Sequence, residues 1–240
     1  RSVLIVSLAR EDRGSWVVRQ SMESPAMTEL IAQESGWWWP ADDTDARHVI
    51  MHDYATAIAA ILPHIDGRDC IVQAGANVGV YPLALADHFQ AVVTFEPDPT
   101  NWTCLSRNLE ARDNLARAVA FNYALGERDG FCAPLEVHPR NCGAHRVAFD
   151  TGTVPVRTID GLGLVACDAI WLDIEGSELF ALRGAVNTIE AFSPTIAVED
   201  KGLDSQFFGV EAGSLQTFLA DLGYQEVSRI GRDKVFRRLS

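Results

Sequence analysis

The chain has 240 residues, a net charge of −13 and 48% hydrophobic content, which suits one globular domain with a substantial core plus an appendage. No apolar run reaches the ~18 residues of a membrane span. Lysine occurs only as Lys201 and Lys234, and one basic cluster stands at Arg229, Arg232, Lys234, Arg237 and Arg238, so tight, sequence-independent nucleic-acid binding is not expected.

Residues 2–9 and 15–20 flank EDRG and predict a hairpin. The apolar VLIVSLA within it is too short for a secretory h-region. Ser24-Pro25 and Gly36 frame a helix over 25–35. Trp37, Trp38 and Trp39 follow, as a satellite core, a substrate wall or a dimer contact. Residues 1–49 are thus expected to form an α/β appendage, and 50–240 the main domain.

From residue 50 strands and helices alternate. A helix over 53–62 ends at Pro63; strand 70–74 enters a glycine turn and a helix over 80–88. Strand 91–96 precedes Asp98-Pro99, an N-cap and N1 pair, and a helix to about 111. Strand 118–124 leads to an irregular stretch and VPVRTID. Strand 168–173 feeds a helix over 177–190, and TIAVE is the next strand. A helix over 214–222 precedes YQEVSRI and KVFRRL, joined by GRD. Such alternation implies a parallel sheet covered on both faces, closed by an antiparallel hairpin at its edge. The basic cluster falls on that hairpin and reads as a solvated edge. Cys70, Cys104, Cys132, Cys142 and Cys167 never make CxxC, which predicts reduced thiols in a cytoplasmic setting and no zinc knuckle.

The turn Gly75-Ala76-Asn77-Val78-Gly79 between strand and helix is where backbone donors face a ligand. No Gly-Lys-Ser/Thr follows, so it is not a P-loop. Asn77 takes the place of the second glycine of GxGxxG, the one that admits a pyrophosphate. Glu96, 21 residues after Gly75, ends the next strand where a carboxylate can accept ribose hydroxyls. A ribose without phosphates points to S-adenosylmethionine rather than NAD.

The ordered set VQAGANVGVYPLALA, VVTFEPDPTN, NYALGERDG, VPVRTIDGLG, IWLDIEGSELFALRGA and PTIAVE resembles the FkbM family of class I S-adenosylmethionine-dependent methyltransferases over roughly residues 50–200. The resemblance implies a Rossmann-like, seven-stranded, mostly parallel sheet with a C-terminal antiparallel hairpin. It also implies methyl transfer, commonly to a hydroxyl of a sugar, glycan or small natural product, leaving S-adenosylhomocysteine. Carried over by position, Gly75, Ala76, Asn77 and Gly79 would lie against the cofactor's amino-acid end. Glu96 would hold the ribose, with Pro97 and Asp98 beside the adenine. Asn122, Tyr123 and Ala124 would line the adenine, and Asp173 would end the strand below the transferred methyl. The family's usual Asp is replaced by Gln73, which offers a neutral carbonyl to the cofactor's ammonium. Tyr54 is a further candidate for the cofactor cleft.

Methyl transfer needs alignment and removal of the nucleophile's proton. Asp173, Glu175 and Glu178 fall at a strand end and the following helical turn, although Glu175 and Glu178 equally suit a helix N-terminus. Glu199 and Asp200 end the adjacent strand, so carboxylates converge; a Mg²⁺ site is conceivable there, but neither spacing nor residue type requires one and no metal is expected. His145, in NCGAHRV, resembles a substrate-side loop residue of the family and titrates near neutral pH. The candidate catalytic set is therefore Asp173, Glu175, His145 and Glu199. An NAD(P)-dependent oxidoreductase and a silent nucleoside-binding domain are the alternatives. N-methylation of a base amino group is disfavoured because the strand end reads LDIEG, not Asn/Asp-Pro-Pro-aromatic.

Overall fold

The computed structural model describes residues 31–112 and 117–238. The hairpin expected over residues 2–20 and the start of the helix expected over 25–35 lie outside that range. The end of that helix is corrected: β1 (Ile31–Glu34) and β2 (Trp37–Pro40) pair antiparallel. Ser35 (φ 52°) and Gly36 (φ 80°) make the two-residue turn, and two positive φ values match the twist of paired strands. The tryptophan run is thereby committed to a strand.

The three tryptophans pack inward. Trp39 is buried, and the Trp38 main chain exchanges two hydrogen bonds with Asn108, at 2.8 and 2.9 Å. The Arg107 and Arg112 guanidiniums stack on Trp38 and Trp37, at 4.6 and 3.6 Å from the ring centres. These contacts match the satellite-core expectation.

Helix α1 (Ala46–Ile61) starts seven residues before the expected residue 53. Buried Asp43 explains the early start. Its carboxylate accepts the Ala46 and Arg47 amides at 3.3 and 3.0 Å, satisfying donors that a helix start leaves free. Strand β3 (Cys70–Ala74), α2 (Val80–Leu85), β4 (Ala91–Phe95), α3 (Pro99–Glu110) and β5 (Ala118–Phe121) follow closely as predicted. Asp98 caps α3 as expected, accepting the Thr100 and Asn101 amides, both at 2.9 Å.

The stretch read as irregular holds a second sheet. It comprises β6 (Ala124–Leu125), β7 (Gly130–Leu135), β8 (Arg146–Phe149) and β9 (Val154–Arg157), in the order β6-β9-β7-β8. Its strands are short, and Pro134 and Pro155 sit inside two of them, which masks the strand signal.

Beyond it come β10 (Ala169–Leu172), α4 (Glu178–Arg183), α5 (Val186–Phe192), β11 (Thr195–Glu199), α6 (Leu203–Phe207), α7 (Ser214–Asp221), β12 (Tyr224–Ile230) and β13 (Asp233–Arg238). The helix expected over 177–190 is thus two helices, separated at Gly184-Ala185.

The main sheet has seven strands in the order β12-β13-β11-β10-β3-β4-β5. Neighbours are parallel except around β13, which runs antiparallel to both β11 and β12. The antiparallel strand is therefore inserted one place in from the edge, with β12 outermost. This is the Rossmann-like class I methyltransferase order that the resemblance implied.

Side-chain alternation builds two core layers from the same strands. Val72, Val93, Phe95, Ile170 and Leu172 face Leu179, Leu182 and Leu219. Ile71, Val92, Trp171 and Ala197 face Ile58, Ile61, Leu83 and Leu105. Burial on both faces is why the strands read as continuous apolar runs.

Arg229, Arg232 and Arg238 of the closing hairpin are exposed, as a solvated edge requires. Arg229 pairs with Glu226, Lys234 with Asp200 and Arg237 with Asp66. All five cysteines are free and buried. No helix among the described residues is long and apolar enough to cross a membrane.

Candidate active site

The carboxyl ends of β3, β4 and β10 open into a cleft of about 860 Å³, its mouth included. Gly75, Ala76, Asn77, Glu96, Pro97, Asp98, Tyr123, Ala124, Asp173 and Glu175 line it. This placement follows from topology, since such sheets bind ligands where strand order reverses, here between β3 and β10.

Gly75 answers to the protein as much as to a ligand. Its φ is +83°, and a Cβ there would stand 1.8 Å from the Asp173 carbonyl oxygen. The glycine lets the β3 turn lie directly on the end of β10. Asn77, also left-handed at φ 51°, donates its amide to Glu96 Oε2 at 2.7 Å and its side chain to the Cys142 carbonyl at 3.1 Å.

Glu96 is buried. Its other oxygen accepts the Asp98 amide at 2.9 Å. Burial, then the charge of Asp98, pushes its carboxyl up to about 8 against those two amide bonds. Each oxygen of this carboxyl keeps hydrogen-bonding capacity for a ligand hydroxyl.

Asp98 also meets His145, whose Nδ1 lies 3.1 Å from Oδ2. Burial works against the Asp98 charge, but the His145 bond and the amides of Asn101 and Thr100 hold its carboxyl below its ordinary value. The same bond raises the His145 imidazole. The His145 contribution to stability is full below its ordinary pKa of 6.5 and is lost as pH rises through the raised value. The Asp98 contribution is present above 3.8 and is lost as pH falls through the lowered value. The melting-temperature gap between the protein and its His145→Gln variant should therefore be widest between those limits and narrow in alkali. A gap unchanged from about pH 5 to 9 would contradict the charged pair.

A second cleft adjoins the first, sharing Ile50, Gly75, Tyr81, Gly143, Asp173 and Glu175 with it. Glu199, Lys201, Asp233, Asp53 and Trp171 line its remaining wall. Lys201 Nζ lies 2.6 Å from Glu199, 2.7 Å from Glu175 and 3.5 Å from Asp173. Burial and the neighbouring Asp173 raise both the Glu175 and the Glu199 carboxyls. Burial opposes the Lys201 charge, yet the three carboxylates raise its pKa overall. Glu175 has φ 55°, a strained value for a side chain of its size, held while its carboxylate pairs with Lys201.

Other expected residues play different parts. Gln73 is buried, donating to the Ala74 and Gly75 carbonyls at 3.2 and 3.1 Å, while its carbonyl accepts the Thr94 hydroxyl. It staples the end of β3 to β4. Asn122 is corrected: it donates to the Glu96 carbonyl at 2.8 Å and does not line either cleft. Tyr54 is also corrected, because it packs beside Trp37 along a separate groove between α1 and α2. His145 borders the first cleft and not the second. Glu178 is buried and accepts the Ile174 and Gly176 amides at 3.0 and 3.2 Å, fixing the loop after β10; burial pushes it up to about 7. Gly79 lines neither cleft but precedes α2 with φ 101°.

Residues 73–226 match the model of the methyltransferase FkbM domain. The chain belongs to the FkbM methyltransferase family. The FkbM match begins at Gln73 in β3 and runs through both clefts into β12. It gives the oxidoreductase alternative no support.

Among solved structures the chain is similar to the methyltransferase FkbM from Methylobacillus flagellatus KT, with 17% identity over 88% of this chain and a TM-score of 0.48. It spans 56% of the length of that protein. It is also similar to a precorrin-6y C5,15-methyltransferase from Geobacter metallireducens GS-15 (11% identity, 86% of this chain, 96% of that one, TM-score 0.46). A third similar structure is the N-methyltransferase NodS from Bradyrhizobium japonicum WM9 (9% identity, 82% of this chain, 100% of that one, TM-score 0.46). Similarities of this degree say nothing about the methyl acceptor. No curated protein sequence matches the chain.

Sequence reasoning overlooked several residues of the clefts, Lys201, Asn101 and Tyr81 among them. Lys201 was legible only as one of two lysines. Asn101 lines the first cleft with a buried Oδ1 that has no partner in the protein. Tyr81 borders the second cleft from α2. None carries a spacing signal, because each enters its cleft from a different segment.

Proposed function

We propose that the chain is an S-adenosylmethionine-dependent O-methyltransferase acting on a hydroxyl of a sugar, glycan or small natural product. The observation that supports this reading best is the pair of clefts meeting at Gly75, Asp173 and Glu175. One suits a nucleoside and the other a polyhydroxyl acceptor.

The first cleft fits the cofactor chemically. Glu96 would receive the ribose hydroxyls, Pro97, Asp98, Tyr123 and Ala124 would flank the base, and the Gly75–Asn77 turn would meet the amino-acid end. The orphaned Asn101 Oδ1 in its wall supplies an acceptor for a ligand donor. Bound there, S-adenosylmethionine supplies an electrophilic methyl group. The chain's own residues orient the acceptor, and Asp173 takes its proton.

The second cleft presents carboxylates from Asp53, Asp173, Glu175, Glu199 and Asp233, which accept hydroxyl hydrogens, beside Tyr81. That acceptor set favours a polyol. We read residues 1–49 as an appendage to this domain, and the five free thiols support a reducing, cytoplasmic setting.

The test is incubation with methyl-labelled cofactor and a panel of glycosides, lipid-linked glycans and hydroxylated metabolites, followed by mass and nuclear magnetic resonance analysis. Label on an oxygen is expected. Label found only on nitrogen or carbon would overturn the O-methylation reading.

A further inference from the structure

We propose that the Lys201 ammonium is the resident cation of the acceptor cleft, seated among Asp173, Glu175 and Glu199 where a divalent metal ion would otherwise bind. This assignment rests on the functional reading above only in calling the cleft the acceptor's; the cation argument itself is geometric. Each of the three carboxylates offers one oxygen within 4.8 Å of the other two, an arrangement that suits a metal ion. Lys201 fills it. An ammonium has three N–H donors, and the nest supplies three carboxylates at 2.6, 2.7 and 3.5 Å.

The backbone that carries Lys201 is fixed from both sides. Asp200 accepts the Gly202 amide at 3.0 Å and the Gln216 side chain at 2.8 Å, and also pairs with Lys234. The Asp200 amide donates to the Arg232 carbonyl at 3.0 Å. The lysine is therefore aimed into the nest by a braced turn, and its side chain is only 20% exposed.

The consequence is a division of labour among the acids. Glu175 and Glu199 are held close by Lys201, while Asp173 is held at longer range and is the most exposed of the three, at 46%. Lys201 acts as a positioning residue: it holds the inner pair and offsets part of its charge, and it leaves Asp173, the most exposed of the three, as the acid that meets an acceptor hydroxyl. Methyl transfer on this account needs no divalent ion.

The test is titration with Mn²⁺, followed by electron paramagnetic resonance, on the full chain without cofactor. The unaltered protein should leave Mn²⁺ free. Lys201→Ala should bind one ion per chain at least about tenfold more tightly, because removing the ammonium leaves three carboxylates uncompensated. Adding Glu199→Gln to Lys201→Ala should abolish that gain, and Lys201→Arg, which keeps the positive charge, should show none. A merely structural lysine would not create a metal site when removed. Stoichiometric Mn²⁺ binding by the unaltered protein, as tight as in Lys201→Ala, would overturn the proposal, as would no gain in a folded Lys201→Ala. Should Lys201→Ala not fold, Lys201→Met fills its place under the same two criteria. Metal binding is read without methyl transfer, so this proposal and the functional one fail separately.

Discussion

Asp173→Asn is expected to lower turnover by roughly 10²–10⁴ while changing cofactor affinity by less than ~1 kcal/mol, as befits loss of a general base. The substitution keeps the shape of the side chain and removes its charge. The backbone at residue 173 is fixed by its amide bond to the Ala74 carbonyl at 3.1 Å, so the strand end should stay in place. Lys201 keeps its two shorter partners, Glu175 and Glu199. The measurement is kcat on an acceptor found in the labelling screen, with cofactor affinity by calorimetry. Full turnover in Asp173→Asn would move the catalytic role to Glu199, which shares the second cleft.

Gly75→Ala should destabilise the fold by about 3 kcal/mol or more, since it combines a clash with backbone and a left-handed φ. The added methyl would stand 1.8 Å from the Asp173 carbonyl oxygen, and neither strand end has room to retreat. Gly36→Ala is the matched control. It too has a positive φ, but nothing lies within 4 Å of its added Cβ, so the cost should be only the ~1–2 kcal/mol of the left-handed conformation. Urea denaturation of both variants decides the matter. Equal losses would show that the contact between the β3 turn and the end of β10 is not what Gly75 serves.

Much of the main sheet was legible because its strands are buried on both faces. Asp98-Pro99 gave the start of α3 correctly, and the ordered motifs led to the FkbM family. The hairpin of β1 and β2 was not legible as such. Ser24-Pro25 and Gly36 resemble helix punctuation, and only pairing with the tryptophan strand shows Gly36 to be a turn residue. The second sheet was lost for a similar reason, its prolines concealing strands that tertiary pairing supports.

In the site, single-segment features were read well and cross-segment ones poorly. The turn at Gly75–Asn77 and the acids at strand ends were found from local pattern. Gln73 was assigned to the cofactor's ammonium, yet its carbonyl accepts the Thr94 hydroxyl, a partner 21 residues away on the adjacent strand. Asn122 was assigned to the adenine, yet it holds the Glu96–Pro97 backbone. Lys201 reaches acids on two strand ends and a loop, which no linear spacing reveals.

The central claim is that the first cleft holds an adenosyl cofactor through Glu96. Calorimetric titration with S-adenosylhomocysteine tests it most directly, because that ligand needs no acceptor. The account predicts one molecule bound per chain, no binding of NADH, and a loss of ~1–3 kcal/mol in Glu96→Ala, the cost of leaving buried ligand hydroxyls without a partner. Binding of NADH with none of S-adenosylhomocysteine, or equal S-adenosylhomocysteine affinity in Glu96→Ala and the unaltered protein, would contradict it.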